Sequence, residues 1–264
     1  MKNILSSIDF SRHAYNAALY AAELAYHTGA RLILFHAYNP ATTEDENELI
    51  GEVVETEIEA QLKLDNLAHK IKALYNISIT RLLKPGKMVE ETCYVANKIN
   101  TDLVVSGVAK TDSKYYPVLD ENTTALLAQI KLPVLLVPPK AGFRSYESVY
   151  LLLDESEKTD KISNSKFLNK LFFKFRNARL ITRPLKSNVP LMAVTEQDSA
   201  PELATPEMLQ ESTWEDLQLI DQPLQLQLLV QTYTSAGSLK EHNETNLISF
   251  SEAIPVLLLP AVLL

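Results

Sequence analysis

Glycine is scarce in this sequence. Only six glycines occur in 264 residues, and no two of them are closer than 21 positions. Loops that wrap a phosphate need several neighbouring glycines, because their backbone amides approach the ligand at φ values that other residues disfavour. The spacing therefore excludes a GxxxxGK[ST] phosphate loop and the dinucleotide fingerprint GxGxxG.

Cysteine, long apolar runs and excess positive charge are also missing. Cys93 is the only cysteine, so neither a disulfide within the chain nor a cysteine-cluster zinc site can form. No stretch of eighteen apolar residues occurs, and Asp9 lies where a signal peptide would be apolar. The net charge of −8 argues against nucleic acid, which is bound through clustered Lys and Arg. We expect a cytoplasmic protein with no membrane and no nucleic-acid partner.

Two pairs of similar segments indicate an internal duplication. Residues 132–138 read LPVLLVP and residues 254–260 read IPVLLLP. A proline at each end confines a strand, and the apolar filling suits a strand that is buried on both faces. Residues 3–9 (NILSSID) and 148–154 (SVYLLLD) form the second pair, each an apolar strand that ends in Asp. Two coincidences in the same order favour a copied unit whose second version is shorter.

The pattern along the chain alternates strand and helix. In the first half, strands are predicted at 2–9, 31–38, 77–83, 102–107 and 133–137, and helices at 11–29, 44–75, 87–99 and 122–131. In the second half, strands are predicted at 148–153, 178–183, 224–231 and 255–259, and helices at 160–175 and 207–219. This order predicts an α/β fold of two tandem Rossmann-like domains, residues 1–142 and a shortened 146–264. Each domain would be a mostly parallel sheet with helices on both faces.

Strands 133–137 and 255–259 are both candidates for a sheet edge. Unpaired apolar edges invite aggregation, so we expect these two strands to pair with each other within the chain. Pairing of two such chains into a homodimer stays open.

Several segments of the first half resemble the universal stress protein family. These are MKNILSSIDFS at 1–11, GARLILFHA at 29–37, NTDLVVSG at 100–107, and Thr123 with the run that closes in PVLLVP at 133–138. The resemblance covers nearly all of residues 1–138, and in the second half it rests on the terminal strands and their order. It implies an adenine-nucleotide-binding α/β fold that is often dimeric and often found as a tandem pair.

ATP-binding members of that family carry an Asp at the end of the first strand. They also carry a loop that reads Gly, two residues, Gly, nine residues, Gly, then Ser or Thr. This chain keeps the Asp as Asp9 and the first glycine as Gly107. The resemblance therefore implies a vestigial nucleotide site at Asp9, Ala37, Gly107 and Thr123.

The rest of the phosphate loop departs from the family pattern. Lys110 and Asp120 replace the second and third glycines, and Glu121 replaces the Ser, with Thr123 retained two residues later. Two carboxylates would lie where a triphosphate binds, and each pair of like charges at ~4 Å repels by roughly 1 to 4 kcal/mol. Asp120 could also cap the following helix itself. ATP binding in the usual family manner is not expected, whereas AMP or adenosine needs less phosphate space.

Three functions remain in order of preference. The first is a non-catalytic stress-response or regulatory module without a cofactor, and the second is a sensor of AMP, adenosine or a similar small ligand. The third is a weak ATPase or nucleotidyl-handling enzyme, which would need the phosphate site that this sequence lacks. No spacing typical of catalytic residues or metal ligands occurs. Asp9 has a simpler alternative role, in which it caps the turn into the first helix.

Overall fold

The computed structural model describes residues 1–39, 56–108, 119–144, 146, 148–153, 165–175, 179–184, 228–233 and 255–260. The strands are β1 (Asn3–Ser7), β2 (Arg31–Tyr38), β3 (Ile79–Pro85), β4 (Leu103–Gly107), β5 (Val134–Val137), β6 (Ser148–Leu153), β7 (Arg179–Pro184), β8 (Leu228–Tyr233) and β9 (Val256–Pro260). The helices are α1 (Arg12–Thr28), α2 (Glu57–Leu74), α3 (Met88–Lys98), α4 (Glu121–Gln129) and α5 (Lys166–Phe172). The predicted helix at 207–219 and the starts of those at 44–75 and 160–175 lie outside the described residues.

Helix α1 has the bounds that its sequence predicts. The hydroxyl of Ser11 accepts a hydrogen bond from the backbone amide of Ala14 and caps the amino end. Gly29 follows the last turn at φ 69°, in the left-handed region that favours glycine. The alanines between them let the helix lie close to the sheet, and Ala17, Ala18 and Ala21 are completely buried.

The nine strands form one sheet in the order β3-β2-β1-β4-β5-β9-β8-β6-β7. The first five are parallel to one another, which confirms the predicted α/β arrangement of the first half. Strand β6 pairs in parallel with β7 and β8, as β1 pairs with β2 and β4. The division into domains at 1–142 and 146–264 stays a prediction.

Strands β5 and β9 join the two halves of the sheet. They are antiparallel, and Leu135 lies opposite Leu257 in the register. This is the pairing predicted for strands 133–137 and 255–259. Val134 to Val137 and Val256 to Pro260 are buried, so both proline-bracketed strands lie in the interior.

Helices cover both faces of the first five strands. Residues of α1, α2 and α5 share one apolar cluster with Ile4, Leu32 and Val105. Residues of α3 and α4 share a second cluster with Leu5 and Val104, which point to the opposite face. Among the described residues, no helix is long and apolar enough to span a membrane.

Candidate functional site

The carboxyl ends of β1 and β4 lie side by side in the sheet. From β1 the chain continues to β2, which lies on one side of β1 in the sheet. Strands β4 and β5 lie on the other side of β1. In open α/β sheets, ligands bind in the crevice at such a switch point. Asp9 follows β1, and the amino end of α4 follows β4, so both border this crevice.

Asp9 is held by the first residues of α1. Its Oδ1 accepts hydrogen bonds from the backbone amide of Ser11 at 2.9 Å and from the Ser11 hydroxyl at 2.5 Å. Its Oδ2 lies 3.6 Å from Nε2 of His13. Burial acts to raise the pKa of Asp9, but the nearby His13 imidazole and the hydrogen bonds from Ser11 outweigh it and hold that pKa well below its usual range. The turn-capping role that the sequence offered as an alternative is therefore present.

His13 is the partner of Asp9 that the sequence reasoning did not find. The interaction with the Asp9 carboxylate raises the pKa of the imidazole above its usual value, against the opposing effect of burial. The negative charges of Asp9 and Asp120 act in the same upward direction. His13 thus lies in the field of carboxylates from both sides of the crevice. The i, i+4 spacing of Asp9 and His13 was the signal that could have revealed this pair.

The backbone between β1 and α1 is strained next to Asp9. Phe10 has a φ of 61°, in the left-handed region, which costs a residue of this size about 1 to 3 kcal/mol. Its ring lies 4.5 Å from the ring of His36, centroid to centroid. His36 is buried, and its Nδ1 lies 2.5 Å from the carbonyl oxygen of Ile8. These contacts fix the turn that presents Asp9.

Asp120 caps α4 with its own side chain. One carboxylate oxygen accepts from the backbone amide of Thr123 at 2.8 Å, and the other accepts from the Thr123 hydroxyl at 2.7 Å. Glu121 adds a second carboxylate in the first turn. An unoccupied helix amino end attracts phosphate, because its amides and its dipole favour an anion. Here a carboxylate of the chain already takes that role.

The packing of α1 against β4 requires a glycine at position 107. A Cβ at this position would come within 2.5 Å of the carbonyl carbon and oxygen of His13, and within 2.8 Å of the amide nitrogen of Ala14. These are backbone atoms, which cannot rotate away. The glycine that matches the family's phosphate loop is therefore required by the contact between β4 and α1, independently of a ligand.

A cavity of about 90 Å³ lies in this crevice, against helices α3 and α4. Its lining combines one carboxylate, several hydroxyls and apolar groups: Ser7, Asp9, Ala14, Met88, Val89, Thr92, Ser106, Gly107, Asn122, Thr123 and Leu126. It brings together three of the four predicted site residues. The fourth, Ala37, is buried in β2 within the apolar cluster under α3 and α4, and it is not part of the lining.

Ser7, Thr92 and Met88 form a polar group in this lining that sequence reasoning missed. The Ser7 hydroxyl lies 3.2 Å from both the Thr92 hydroxyl and the Met88 sulfur. Thr92 is almost completely buried. Ser7 is 81 positions from Met88 and 85 from Thr92, and only the fold brings α3 across β1. Side chains alternate between the two faces of β1, which places Ser7 on the same face as Leu5. This was the only local signal that Ser7 belongs to the group.

Within the ranges that the structure describes, no group of three or more His, Cys, Asp or Glu side chains could hold a metal ion. Cys93 is buried on α3, and burial raises the pKa of its thiol. Lys110 and the rest of the loop between Gly107 and α4 lie outside the described residues.

The chain belongs to the universal stress protein family, whose model matches residues 1–138. A curated relative from Thermus aquaticus is the universal stress protein in the QAH/OAS sulfhydrylase 3′ region. It is 29% identical over 139 residues, which are 52% of this chain and 98% of that protein.

A solved structure agrees with the fold. A universal stress protein from Archaeoglobus fulgidus is similar over 98% of both chains, with a TM-score of 0.64 and 14% sequence identity. At that identity the similarity shows the fold alone, and it extends over the second half of this chain. A family protein from Arabidopsis thaliana with AMP bound has 13% identity and a TM-score of 0.38, over 52% of this chain and 90% of that one.

Proposed function

We propose that this protein is a non-catalytic stress-response or regulatory module that does not bind ATP in the usual manner of its family. The observation that carries the proposal is the cap on α4. Asp120 accepts hydrogen bonds from both the amide and the hydroxyl of Thr123, so the helix end that would receive a phosphate holds a carboxylate instead.

Electrostatics act in the same direction. A triphosphate would bring several negative charges toward Asp120 and Glu121 at the amino end of α4, and each pair at ~4 Å would repel by about 1 to 4 kcal/mol. Phosphoryl transfer depends on stabilising the charge of the phosphate, which is why the module is proposed to be non-catalytic.

The proposal includes a tandem organisation with a degenerate second domain in a cytoplasmic protein. It is supported by the matching pairings of β1 and β6 with their neighbours, and by the contact of β5 with β9. The similarity to the Archaeoglobus fulgidus structure over 98% of both chains is consistent with it. The second half would then serve mainly to cover β5.

A sensor of AMP or adenosine is the second candidate function. It is favoured by the cavity beside Asp9, whose hydroxyls and apolar groups suit a neutral polar ring. The cavity of about 90 Å³ would hold part of such a ligand, and the rest would lie in the open crevice.

Thermal unfolding with millimolar Mg-ATP, AMP or adenosine tests both candidates. A ligand at one hundred times its Kd stabilises a protein by about 2.7 kcal/mol, which is readily measured as an increase in Tm. We expect no increase with ATP. An increase with AMP or adenosine alone would favour the sensor, and an increase with ATP would contradict the main proposal.

A variant that restores the family's loop provides a gain-of-function arm. It combines Lys110→Gly, Asp120→Gly and Glu121→Ser, and glycine costs only a few tenths of a kcal/mol as a replacement cap. ATP-dependent stabilisation of this variant, but not of the wild type, is the expected result. Failure of the variant to bind ATP would mean that these three positions are not what closes the site.

A further inference from the structure

We infer that the crevice between β1 and β4 selects ligands by charge, and that it takes a nucleoside without negative charge in preference to a nucleoside phosphate. This inference rests on the second candidate function, a sensor that binds at this crevice. It goes further by assigning the selectivity to Asp120.

A nucleoside in this cavity would direct its 5′ substituent toward α4. Polar and apolar groups that suit a ring line the cavity from β1 and α3, among them Ser7, Met88 and Thr92. The amino end of α4 borders the same cavity through Asn122 and Thr123. A phosphate at a switch point lies at a helix amino end, so the phosphate of a nucleotide would be directed here.

Asp120 makes this end of the cavity unfavourable for an anion. Its carboxylate occupies the Thr123 amide and hydroxyl, two of the donors that a phosphate would otherwise use. Thr123, which Asp120 holds through both of these hydrogen bonds, lines the cavity, so the charge of Asp120 lies at the edge of the site. The carboxylate of Asp9, on the β1 side, is paired with His13, so Asp120 is the carboxylate that an anion would meet at α4.

His13 does not reverse this balance. Its imidazole faces Asp9 at 3.6 Å, so a positive charge there is already matched by that carboxylate. An uncharged 5′ hydroxyl avoids the repulsion, and a 5′ ammonium would be attracted to Asp120. The charge of the 5′ substituent should therefore determine the affinity of the ligand.

Three ligands that share adenine and differ only in the 5′ substituent of the sugar test the inference in isothermal titration of the full chain. They are adenosine, 5′-amino-5′-deoxyadenosine with its protonated amine, and AMP. We expect the amino compound to bind at least as tightly as adenosine, and AMP to bind about tenfold more weakly, which corresponds to about 1.4 kcal/mol. Raising the salt concentration should reduce these differences, because exposed charges are screened.

The decisive variant is Asp120→Asn, since asparagine is as good a helix cap as aspartate and lacks the charge. The ratio of AMP to adenosine affinity should increase about fivefold, as expected for removal of one nearby like charge. Asp65→Asn is the matched control, because it removes the same charge from α2, where Asp65 pairs with Arg81. The ratio should not change in that control.

Each outcome has a definite reading. AMP binding as tightly as adenosine to the wild type would leave the sensor site standing and overturn charge selection. An equal change of the ratio in both variants would overturn the role of Asp120 and assign selectivity to the net charge of the protein. Absence of binding by all three ligands would overturn the nucleoside site itself, and with it the second candidate function.

Discussion

Gly107 and His13 are in backbone contact where β4 passes under the first turn of α1. A Cβ on Gly107 would lie 2.5 Å from the carbonyl carbon of His13, closer than real Cβ contacts allow. The contact places the carboxyl end of β4 against the helix that carries Ser11 and His13, the residues that hold Asp9. The same glycine therefore fixes the shape of the crevice.

Gly107→Ala is expected to destabilise the protein by about 1 to 3 kcal/mol, because the added methyl group must push α1 away from the sheet. Urea unfolding, followed by circular dichroism, measures the change. Gly142→Ala is the control, since a Cβ at Gly142 would have no atom within 4 Å. Equal stability of the Gly107→Ala variant and the wild type would show that α1 adjusts without cost.

The ion pair between Asp9 and His13 predicts a dependence of stability on pH. The folded-state pKa of His13 is raised, so its contribution is complete below the unfolded value of about 6.5 and is lost as the pH rises through the folded value. The folded-state pKa of Asp9 is lowered, so its contribution is present above about 3.9 and is lost as the pH falls toward the folded value. The pair should stabilise most between pH 4 and 6.5, by less than about 1 kcal/mol because both side chains are partly exposed.

The difference in unfolding free energy between the wild type and His13→Gln, measured from pH 4 to 9, checks this dependence. The difference should be largest near pH 5 and should decrease above the folded-state pKa of His13. His69→Gln is the control, because His69 lies on α2 and its Nδ1 is 2.9 Å from a backbone carbonyl oxygen. If the difference in unfolding free energy increases with pH instead, Asp9 does not stabilise the protonated form of His13.

Much of the first half could be predicted from local sequence. Ser11 and Gly29 mark the ends of α1 by well-understood capping rules, and the role of Asp120 as a cap follows from its position before a short apolar helix. The site itself was only partly predictable. Thr92 and Met88 reach the cavity because α3 crosses β1, which depends on sheet order, and no local pattern reports that.

The glycine at position 107 illustrates the limit of motif reasoning. The family resemblance assigned it to a phosphate loop, whereas the structure gives it a packing role that would be needed with or without a ligand. Ala37 was similarly assigned to the site from its motif position, yet its side chain is buried in the second apolar cluster. Both roles depend on which elements lie against each strand.

The hydroxyls of Tyr20 and Tyr146 are 3.0 Å apart in a buried environment. Tyr20 lies on α1 and Tyr146 precedes β6, so this hydrogen bond connects the two halves of the chain. Tyr20→Phe and Tyr146→Phe should each destabilise by about 1 to 3 kcal/mol, because each leaves one buried hydroxyl without a partner. The double variant should lose less than the sum of the two, since it removes both polar groups.

A double-mutant cycle in urea measures this coupling. Tyr15→Phe serves as the control on the same helix, because Tyr15 is exposed and its change should be near zero. Additive losses in the double variant would indicate that the two hydroxyls do not interact in solution.

Leu257 lies opposite Leu135 in the antiparallel pair that covers β5. Leu257→Pro removes a backbone donor from an interior strand and should separate β9 from its neighbours. The uncovered edge of β5 would then be open to pairing between chains, so we expect dimers or larger species in light scattering after gel filtration. Leu257→Val keeps the donor and the apolar side chain, and it should elute as the wild type does. If the proline variant also elutes as the wild type does, with unchanged circular dichroism, then β9 is not what keeps the β5 edge from pairing.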